Sequence, residues 1–273
     1  MDTYGDARYY ITQYNDATGS QAMFYTIESN KGALIIIDGG WSGNAEQVRS
    51  VLKEKGNHVD AWILTHPHPD HIGSFNQIYS APGDITIDAI YAIEMDYDKY
   101  KAKAQPWDEF EVYENFLALT ADEDRLYYVR SGDEFEVCGL SFFILHTYES
   151  WVDEMSPDLA NDGSMMFKVT NQEESMLFCA DVGIRVSDRI EEQWGDMLDC
   201  DYIQMGHHGN GGLSESFYRL TEPKAAFFDA PEWLMNPESN ENGWTTPQNR
   251  EIMESMEAQI YYYYTAPNRI ELK

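Results

Sequence analysis

The sequence predicts an α/β protein in which two β-sheets pack together and are covered by helices. Short apolar runs typical of buried strands recur along the chain, and neighbouring ones in its middle are joined by short turns such as residues 171–174. Helical patterns lie mainly toward both ends. A single doubly wound parallel sheet requires a helical crossover between successive strands, so this mixture favours two sheets.

The strand predictions begin with the β-branched run at 34–37, which ends at Asp38-Gly39-Gly40 and therefore leads into a sharp turn. A second strand at 61–65 runs directly into a histidine-rich segment. Further strands are predicted at 85–93, 140–145, 165–170, 176–180, 202–205, 225–228 and 260–264.

The first predicted helix covers 45–55, where apolar residues recur at helical spacing before Gly56. Further helices are predicted at 108–119, 187–198, 215–220 and 247–256. Ser187 and Thr246 are the predicted N-caps, the latter because Pro247 suits a first helical position. The polar segment 95–130 is either an inserted helical lid over a site or a solvated helix pair. With no repeat or linker, residues 1–273 are interpreted as one domain.

The composition indicates a folded and strongly acidic protein. Hydrophobic residues make up 43% of the 273, and the formal net charge is −30. Such a charge repels phosphate backbones, so strong non-specific nucleic-acid binding is not expected. A small-molecule substrate is expected instead.

The three cysteines are widely spaced and predict buried free thiols. No transmembrane segment or signal peptide is predicted. The compartment is left open between the cytoplasm and, if a leader was removed, the extracellular space. The oligomeric state is left open.

The residues that could carry chemistry are concentrated in two histidine clusters. The first reads His66-Pro67-His68-Pro69-Asp70-His71 and follows a predicted strand; the second is the pair His207-His208. Prolines at alternate positions favour extended backbone, which would project His66, His68 and Asp70 to one side with His71 adjacent. Imidazoles together with a carboxylate suit Zn²⁺ and other first-row metals, so the segment predicts a metal site.

The first cluster resembles the HxHxDH motif of the metallo-β-lactamase superfamily. Asp38-Gly39-Gly40, the strand-end Asp181 and the sequence from Gly206 to Gly209 match further pieces of that family in chain order. The residues 161–164 and the later His-His-Gly resemble the branch that contains the hydrolase-like domain of ComEC/Rec2, and phosphorylcholine esterases are a further comparison. The resemblance implies a four-layer αβ/βα sandwich of two mixed sheets flanked by helices.

The same resemblance implies two divalent metal ions, for which we expect Zn²⁺, with Mn²⁺ or Fe as alternatives. His66 and His68 would hold one ion, Asp70 and His71 the second, and Asp181 would bridge them. One member of the pair at 207–208 would complete the second site. His207 is preferred as that ligand because it follows the strand directly, which leaves His208 for proton transfer.

The chain departs from the family pattern at the third histidine of the first metal site. Asn161-Asp162 stands at that place, and Asp162 is the predicted oxygen ligand that could replace it. His146 is an alternative, although it is separated from Asn161 by an insertion and could instead pack structurally. An aspartate ligand would shift the preference toward harder ions such as Mn²⁺.

These observations predict a metal-dependent hydrolase that uses a metal-bound hydroxide on a phosphodiester or another ester. Asp70 and His208 are the predicted catalytic residues, for orienting the nucleophile and transferring a proton. The alternatives are a ComEC-like nuclease, a metal-binding module with weak or no turnover, and a β-lactamase or thiol-ester hydrolase.

Overall fold

The computed structural model describes residues 4–16 and 18–273. Its strands, in chain order, are β1 (Tyr9–Gln13), β2 (Phe24–Ser29), β3 (Leu34–Asp38), β4 (His58–Val59), β5 (Ala61–Ile63), β6 (Thr86–Ile87), β7 (Ile90–Ala92), β8 (Leu126–Tyr128), β9 (Glu134–Val137), β10 (Leu140–His146), β11 (Met166–Thr170), β12 (Ser175–Phe178), β13 (Tyr202–Gln204), β14 (Ala225–Phe228), β15 (Gln259–Tyr262) and β16 (Asn268–Leu272). Its α-helices are α1 (Ala45–Glu54), α2 (Pro69–Ser80), α3 (Tyr97–Lys103), α4 (Glu111–Leu119), α5 (Val152–Met155), α6 (Leu159–Asp162), α7 (Ile184–Trp194), α8 (Glu215–Thr221), α9 (Glu232–Met235) and α10 (Thr246–Ser255). Short 3₁₀ turns cover Ser42–Asn44, Gly195–Leu198, Gly206–Gly209, Pro237–Asn242 and Tyr263–Thr265.

Within the described residues the strands form two seven-stranded sheets and one small pair, β4 with β6. The first large sheet has the order β16-β1-β2-β3-β5-β7-β8, and the second has the order β15-β14-β13-β12-β11-β10-β9. Both are mixed: β2 and β11 pair antiparallel with β3 and β12, whereas β3 and β12 pair parallel with β5 and β13. The predicted class, two mixed sheets flanked by helices, is confirmed.

The two large sheets share one apolar core. Tyr25 of β2 meets Phe178 of β12 edge to face, with ring centroids 5.3 Å apart. Tyr91 of β7 stacks on Phe135 of β9 at 4.1 Å. Buried rings of this size contribute large apolar areas, at about 25 cal/mol for each Å² removed from water. The contact between the sheets therefore fixes the relative positions of the strand ends that carry the candidate site.

Helices cover the outer faces. Helix α1 buries Val48 and Leu52, as their helical spacing predicts, and α2 packs against both α1 and α4. Helix α10 packs against α8 and β15. In the described part of the chain, every helix is too short or too polar to cross a lipid bilayer.

Several element boundaries differ from the prediction. Ser187 lies inside α7, which begins at Ile184 after the extended Gly183, and its hydroxyl donates to Glu191 instead of capping the helix. Thr246 is the first residue of α10 and is preceded by Thr245 as the flanking residue. The predicted strand at 85–93 is divided into β6 and β7, and the strand predicted at 260–264 ends at Tyr262 before a 3₁₀ turn. The segment 95–130 contains α3, α4 and β8, the last of which joins the first sheet beside β7.

Candidate metal centre

The histidine-rich segment follows β5 and changes conformation at its midpoint. His68 is extended, with φ −76° and ψ 152°, and α2 begins at the next residue, Pro69. The prediction of an extended segment throughout is wrong here, because proline is well tolerated at a first helical position, where its missing amide hydrogen is not needed. Asp70 and His71 therefore project from the first turn of α2 rather than from a strand.

A first group of side chains contains His66, His71 and Asp181, whose possible ligand atoms all lie within 4.8 Å of one another. His71 Nε2 is 3.3 Å from Asp181 Oδ1, and His66 Nε2 is 4.0 Å from Asp181 Oδ2. Asp181 follows β12 in the second sheet, whereas the two histidines follow β5 in the first. The group thus lies where the two sheets meet.

A second group, Asp70, His71 and His208, satisfies the same distance limit. His208 Nε2 is 3.2 Å from Asp70 Oδ2 and also 3.2 Å from Asp181 Oδ2. Asp181 therefore contacts histidines of both groups. His71 belongs to both groups, although one imidazole nitrogen can bind only one ion.

Asp38, at the end of β3, forms hydrogen bonds that orient the histidines of the centre. Its Oδ2 lies 2.7 Å from His71 Nδ1, and its two oxygens accept from the backbone amide and the hydroxyl of Thr65 at 2.8 and 2.7 Å. A carboxylate only accepts, so His71 Nδ1 carries a hydrogen, and Nε2 is the nitrogen left to bind a cation once it is deprotonated. Because the Thr65 hydroxyl hydrogen is used on Asp38, its oxygen, 3.2 Å from His66 Nδ1, can accept from that ring. Both rings thereby direct Nε2 toward Asp181.

Four of these inward-facing groups contain buried atoms with no hydrogen-bond partner among the described residues. They are His66 Nε2, His71 Nε2, Asp181 Oδ1 and both ring nitrogens of His208. Buried polar groups are almost always satisfied, and leaving one without a partner costs about 1–3 kcal/mol. Imidazole nitrogens and a carboxylate that converge at 3.2–4.0 Å without well-aligned hydrogen bonds are a donor set that fits a divalent cation.

The electrostatics of the centre follow from packing carboxylates and imidazoles together away from water. Burial opposes ionisation of Asp70, but the neighbouring His71 and His208 outweigh it and hold the pKa of the carboxyl at about 2. Burial alone would also raise the pKa of the Asp181 carboxyl, but His208 and His71 outweigh it and hold that pKa well below its usual range. The pKa of His66 is well below its usual value, chiefly because of burial. At His71 and His208 the neighbouring carboxylates outweigh burial and raise the pKa of the ring, well above its usual value for His71 and to about 10 for His208. Both rings would therefore release a proton when a cation binds, as ligand histidines must.

The second sheet contributes its side chains through strained backbone. His207 and His208 follow β13 and have φ values of 49° and 56°, in the left-handed region that non-glycine residues rarely adopt. Ala180, just before Asp181, also has a positive φ of 47°. Gln204 Oε1 accepts from the amides of Cys179 and Ala180 and steadies that turn. Strain of this kind costs about 1–3 kcal/mol per residue and is concentrated at functional sites.

Three of the predicted site residues lie outside both groups, as far as the described residues extend. His68 Nε2 is 2.8 Å from Asp108 Oδ1. The side chain of His207 is 29% exposed, and its Nε2 is 3.9 Å from Asp181, so His208 and not the preferred His207 meets Asp70 and Asp181. The carboxylate of Asp162 is occupied by the Ser156 hydroxyl and by the Gly183 amide at 3.0 Å.

His146, the alternative third histidine, also turns away from the two groups. Its Nε2 donates to the backbone oxygen of Asp162 at 2.7 Å, and burial lowers the pKa of the ring to about 4. This contact is structural, since it joins the end of β10 to the end of α6.

Two supporting residues were not assigned a role from the sequence. Asp38 was noted only as part of a turn motif, although a carboxylate that ends a wholly apolar strand is a recognisable signal. Asp108 gave no signal, because it lies in a segment rich in other acids.

Comparison with known proteins agrees with this geometry. Residues 17–207, well over half of the chain, match the profile of the Metallo-beta-lactamase superfamily. No curated protein matched the sequence. Among solved structures, the metallo-beta-lactamase fold protein YhfI from Bacillus subtilis is similar with a TM-score of 0.61 and 12% identity, covering 97% of this chain and 100% of its own. Yeast PDE1 has a TM-score of 0.57 at 12% identity, covering 98% and 100%. A diphosphatase from the PhnP family has a TM-score of 0.53 at 13% identity, covering 97% and 98%. At these identities the likeness concerns the fold.

Proposed function

Because this chain belongs to the metallo-β-lactamase superfamily, we propose that it is a metal-dependent hydrolase that acts on a small phosphodiester or a related ester. The observation that carries the proposal is the convergence of buried ligand atoms from His66, His71, Asp181 and His208, which face one another at 3.2–4.0 Å without well-aligned hydrogen bonds. A merely structural cluster would satisfy these atoms with hydrogen bonds.

We assign Asp70, His71 and His208 to one cation, since Nε2 of His208 faces the Asp70 carboxylate at 3.2 Å. His66 belongs to the other cation, and Asp181 contacts the histidines of both groups through its two oxygens. Mixed nitrogen and oxygen donors fit Zn²⁺ and also Mn²⁺ or Fe²⁺.

When bound there, a divalent cation lowers the pKa of water and supplies a nucleophile at neutral pH. We assign the other steps of the reaction to Asp70 and His207. Asp70, with a side chain only 8% exposed, is in position to accept a hydrogen bond from the attacking water and to orient it. His208 is 1% exposed and cannot reach a substrate, whereas His207 is 29% exposed and can. We therefore exchange the two roles expected from the sequence, with His208 as ligand and His207 as the group that exchanges a proton with the leaving group.

The acidity of the chain supports a small substrate. A net charge of −30 repels a long polyanion such as DNA, and this repulsion weighs against the ComEC-like nuclease. One fold neighbour is a diphosphatase, so the same scaffold serves phosphate chemistry in another protein. A single phosphodiester carries little charge and can approach when cations neutralise the centre.

The test measures metal content by elemental analysis together with turnover of bis(p-nitrophenyl) phosphate. We expect about two cations per chain, loss of turnover with a chelator and recovery with Zn²⁺ or Mn²⁺. His208→Ala should reduce turnover by at least about 100-fold, whereas His58→Ala should not, because His58 is exposed and pairs with Asp88. A chain without bound metal that hydrolyses no ester would overturn the proposal.

A metal-binding module without turnover is the second candidate, because His68 faces Asp108 and is absent from both groups of the described residues. The same experiment separates the two: stoichiometric metal without hydrolysis of any phosphodiester or carboxylic ester would favour the module. Salt-sensitive cleavage of single-stranded DNA would instead favour the nuclease.

A further inference from the structure

The ring of His68 is held by a carboxylate that comes from a distant part of the chain. We propose that Asp108, in the connection between α3 and α4, is a positioning residue that fixes the tautomer of His68 and makes its Nδ1 the nitrogen available to a cation. This inference rests on the proposed function, because it concerns a histidine whose ring lies beside the proposed metal centre.

The contact has the geometry of a charge-assisted hydrogen bond in a dry environment. His68 Nε2 lies 2.8 Å from Asp108 Oδ1, and the side chains are 6% and 1% exposed. A carboxylate only accepts, so Nε2 carries the hydrogen and Nδ1 keeps the lone pair. The ring of His68 lies 4.7 Å, centroid to centroid, from that of His66, so the pair lies beside the proposed centre.

Asp108 is arranged to orient a neighbour rather than to bind a cation itself. Its second oxygen accepts from the backbone amide of Gln105 at 2.8 Å, so both oxygens are occupied. In contrast, Asp181 Oδ1 is buried with no hydrogen-bond partner among the described residues. Vacant lone pairs characterise a ligand, and filled ones characterise an outer carboxylate that holds a ligating histidine.

Asp158, the second carboxyl group near His68, is occupied as well. It lies within reach of His68 and Asp108, so the three could in principle surround a separate cation. However, its side chain caps α6, accepting from the backbone amide of Asn161 at 3.3 Å and from its side-chain amide at 3.1 Å. We therefore interpret Asp108 as the hydrogen-bonded support of His68 and Asp158 as the cap of α6.

The connection that carries Asp108 is anchored at both ends. Lys103 Nζ donates to the backbone oxygens of Asp153 and Ser156 at 2.6 and 3.2 Å. On the other side, Asn76 of α2 donates to the backbone oxygen of Val112 at 2.9 Å. Since α2 also carries Asp70 and His71, the connection is tied to the helix that forms the centre. The segment expected as a lid or a solvated helix pair thus contributes a fixed part of the site.

The experiment measures Zn²⁺ affinity on the full chain by competition with a chromophoric chelator. Outer carboxylates of ligating histidines typically change metal affinity 10–100-fold, so we expect Asp108→Ala to weaken one of the two equivalents by that factor, and Asp108→Asn by less. Asp98→Asn removes an exposed charge from the same segment and should leave both equivalents unchanged. Nitrogen–proton correlation spectra should show His68 as the Nε2–H tautomer in the parent and a changed tautomer in Asp108→Ala.

A double-mutant cycle separates positioning from direct ligation. If Asp108 acts through His68, the affinity lost in Asp108→Ala disappears in a His68→Ala background. An equal loss in that background would overturn the proposal and identify Asp108 as a ligand. Parent-like affinity and an unchanged His68 tautomer in Asp108→Ala would also overturn it, and the isosteric Asp108→Asn provides the same comparison if the alanine variant does not fold. A parent chain that binds no Zn²⁺ at all would instead refute the proposed function, while the tautomer spectrum still tests the contact.

Discussion

Replacing Asp38 by asparagine should weaken metal binding much more than it weakens the metal-free fold. The backbone at residue 38 has φ 51°, a conformation that asparagine tolerates, so the substitution adds little backbone strain. What changes is Oδ2, which receives two hydrogen bonds at 2.7 Å, from His71 Nδ1 and from the Thr65 hydroxyl. An amide nitrogen at that position is a donor. The Thr65 hydroxyl can rotate and accept from it, but a protonated His71 Nδ1 cannot.

The imidazole of His71 must therefore move its hydrogen to Nε2. In the metal-free chain this tautomer is tolerated, because Nε2–H can donate to the unpartnered Asp181 Oδ1, 3.3 Å away. A protonated Nε2 cannot bind a cation. We expect the free energy of unfolding of the metal-free protein to fall by about 1–2 kcal/mol, the range of one weakened hydrogen bond to a charged group. Metal affinity should fall 10–100-fold, or about 1.4–2.7 kcal/mol at the site itself.

Denaturant unfolding with and without Zn²⁺, together with chelator competition, measures both quantities. Asp201→Asn is the matched control, since Asp201 Oδ2 accepts from the amide of Ser175 at 2.8 Å and Asp201 belongs to no group of possible metal ligands among the described residues. Parent-like Zn²⁺ affinity in Asp38→Asn, with a large loss of metal-free stability, would refute the tautomer argument and leave Asp38 with a purely structural role.

Three further predictions concern the centre and its surroundings. His208→Ala should lose about one cation per chain in elemental analysis, whereas His207→Ala should keep both and lose turnover, because only His208 meets Asp70 closely. His146 has a buried, neutral ring whose pKa is lowered to about 4, so the folded state resists its protonation. In the metal-free chain the free energy of unfolding should therefore be at its full value above about pH 6.5 and fall by up to about 3 kcal/mol toward pH 4. His146→Gln should remove this pH dependence in denaturant titrations. Gly73→Ala should destabilise the fold by about 1–3 kcal/mol in thermal or denaturant unfolding, because a Cβ there lies 2.5 Å from the backbone nitrogen of Ser42.

A specific experimental outcome would contradict each of these predictions. Loss of a cation in His207→Ala with retention in His208→Ala would restore the ligand choice made from the sequence. An unchanged slope between pH 6.5 and 4 in His146→Gln would assign the acid sensitivity to other groups. For the glycine, Gly43→Ala is the matched control, since a Cβ there meets nothing within 4 Å, and equal losses in both variants would exclude the steric explanation.

The sequence predicts the fold class because the apolar runs of the central strands are unambiguous. The 34–37 run and the 225–228 run became β3 and β14 with little or no change in their bounds. Strands such as β8 and β9 were missed because they are short and largely exposed, and their strand conformation comes from pairing with β7 and β10. Tertiary pairing of this kind leaves little local signal.

The candidate site was predictable in its composition but less so in its assignments. A spacing rule identifies His66, Asp70 and His71 as one chemical unit. It cannot choose between His207 and His208, because that choice depends on two left-handed backbone angles after β13. It also cannot identify Asp108, since the contact with His68 joins residues 40 positions apart through the packing of α3 and α4.

The proposed ligands come from strand ends of opposite sheets, and this has a consequence beyond hydrolysis. The two proposed cations would be held by His66, Asp70 and His71 on one side and by Asp181 and His208 on the other, and would cross-link segments more than 100 residues apart in the chain. Their loss would release both sides at once. Since ligand binding shifts folding equilibria by mass action, the lifetime of the protein against proteases would then depend on the supply of metal.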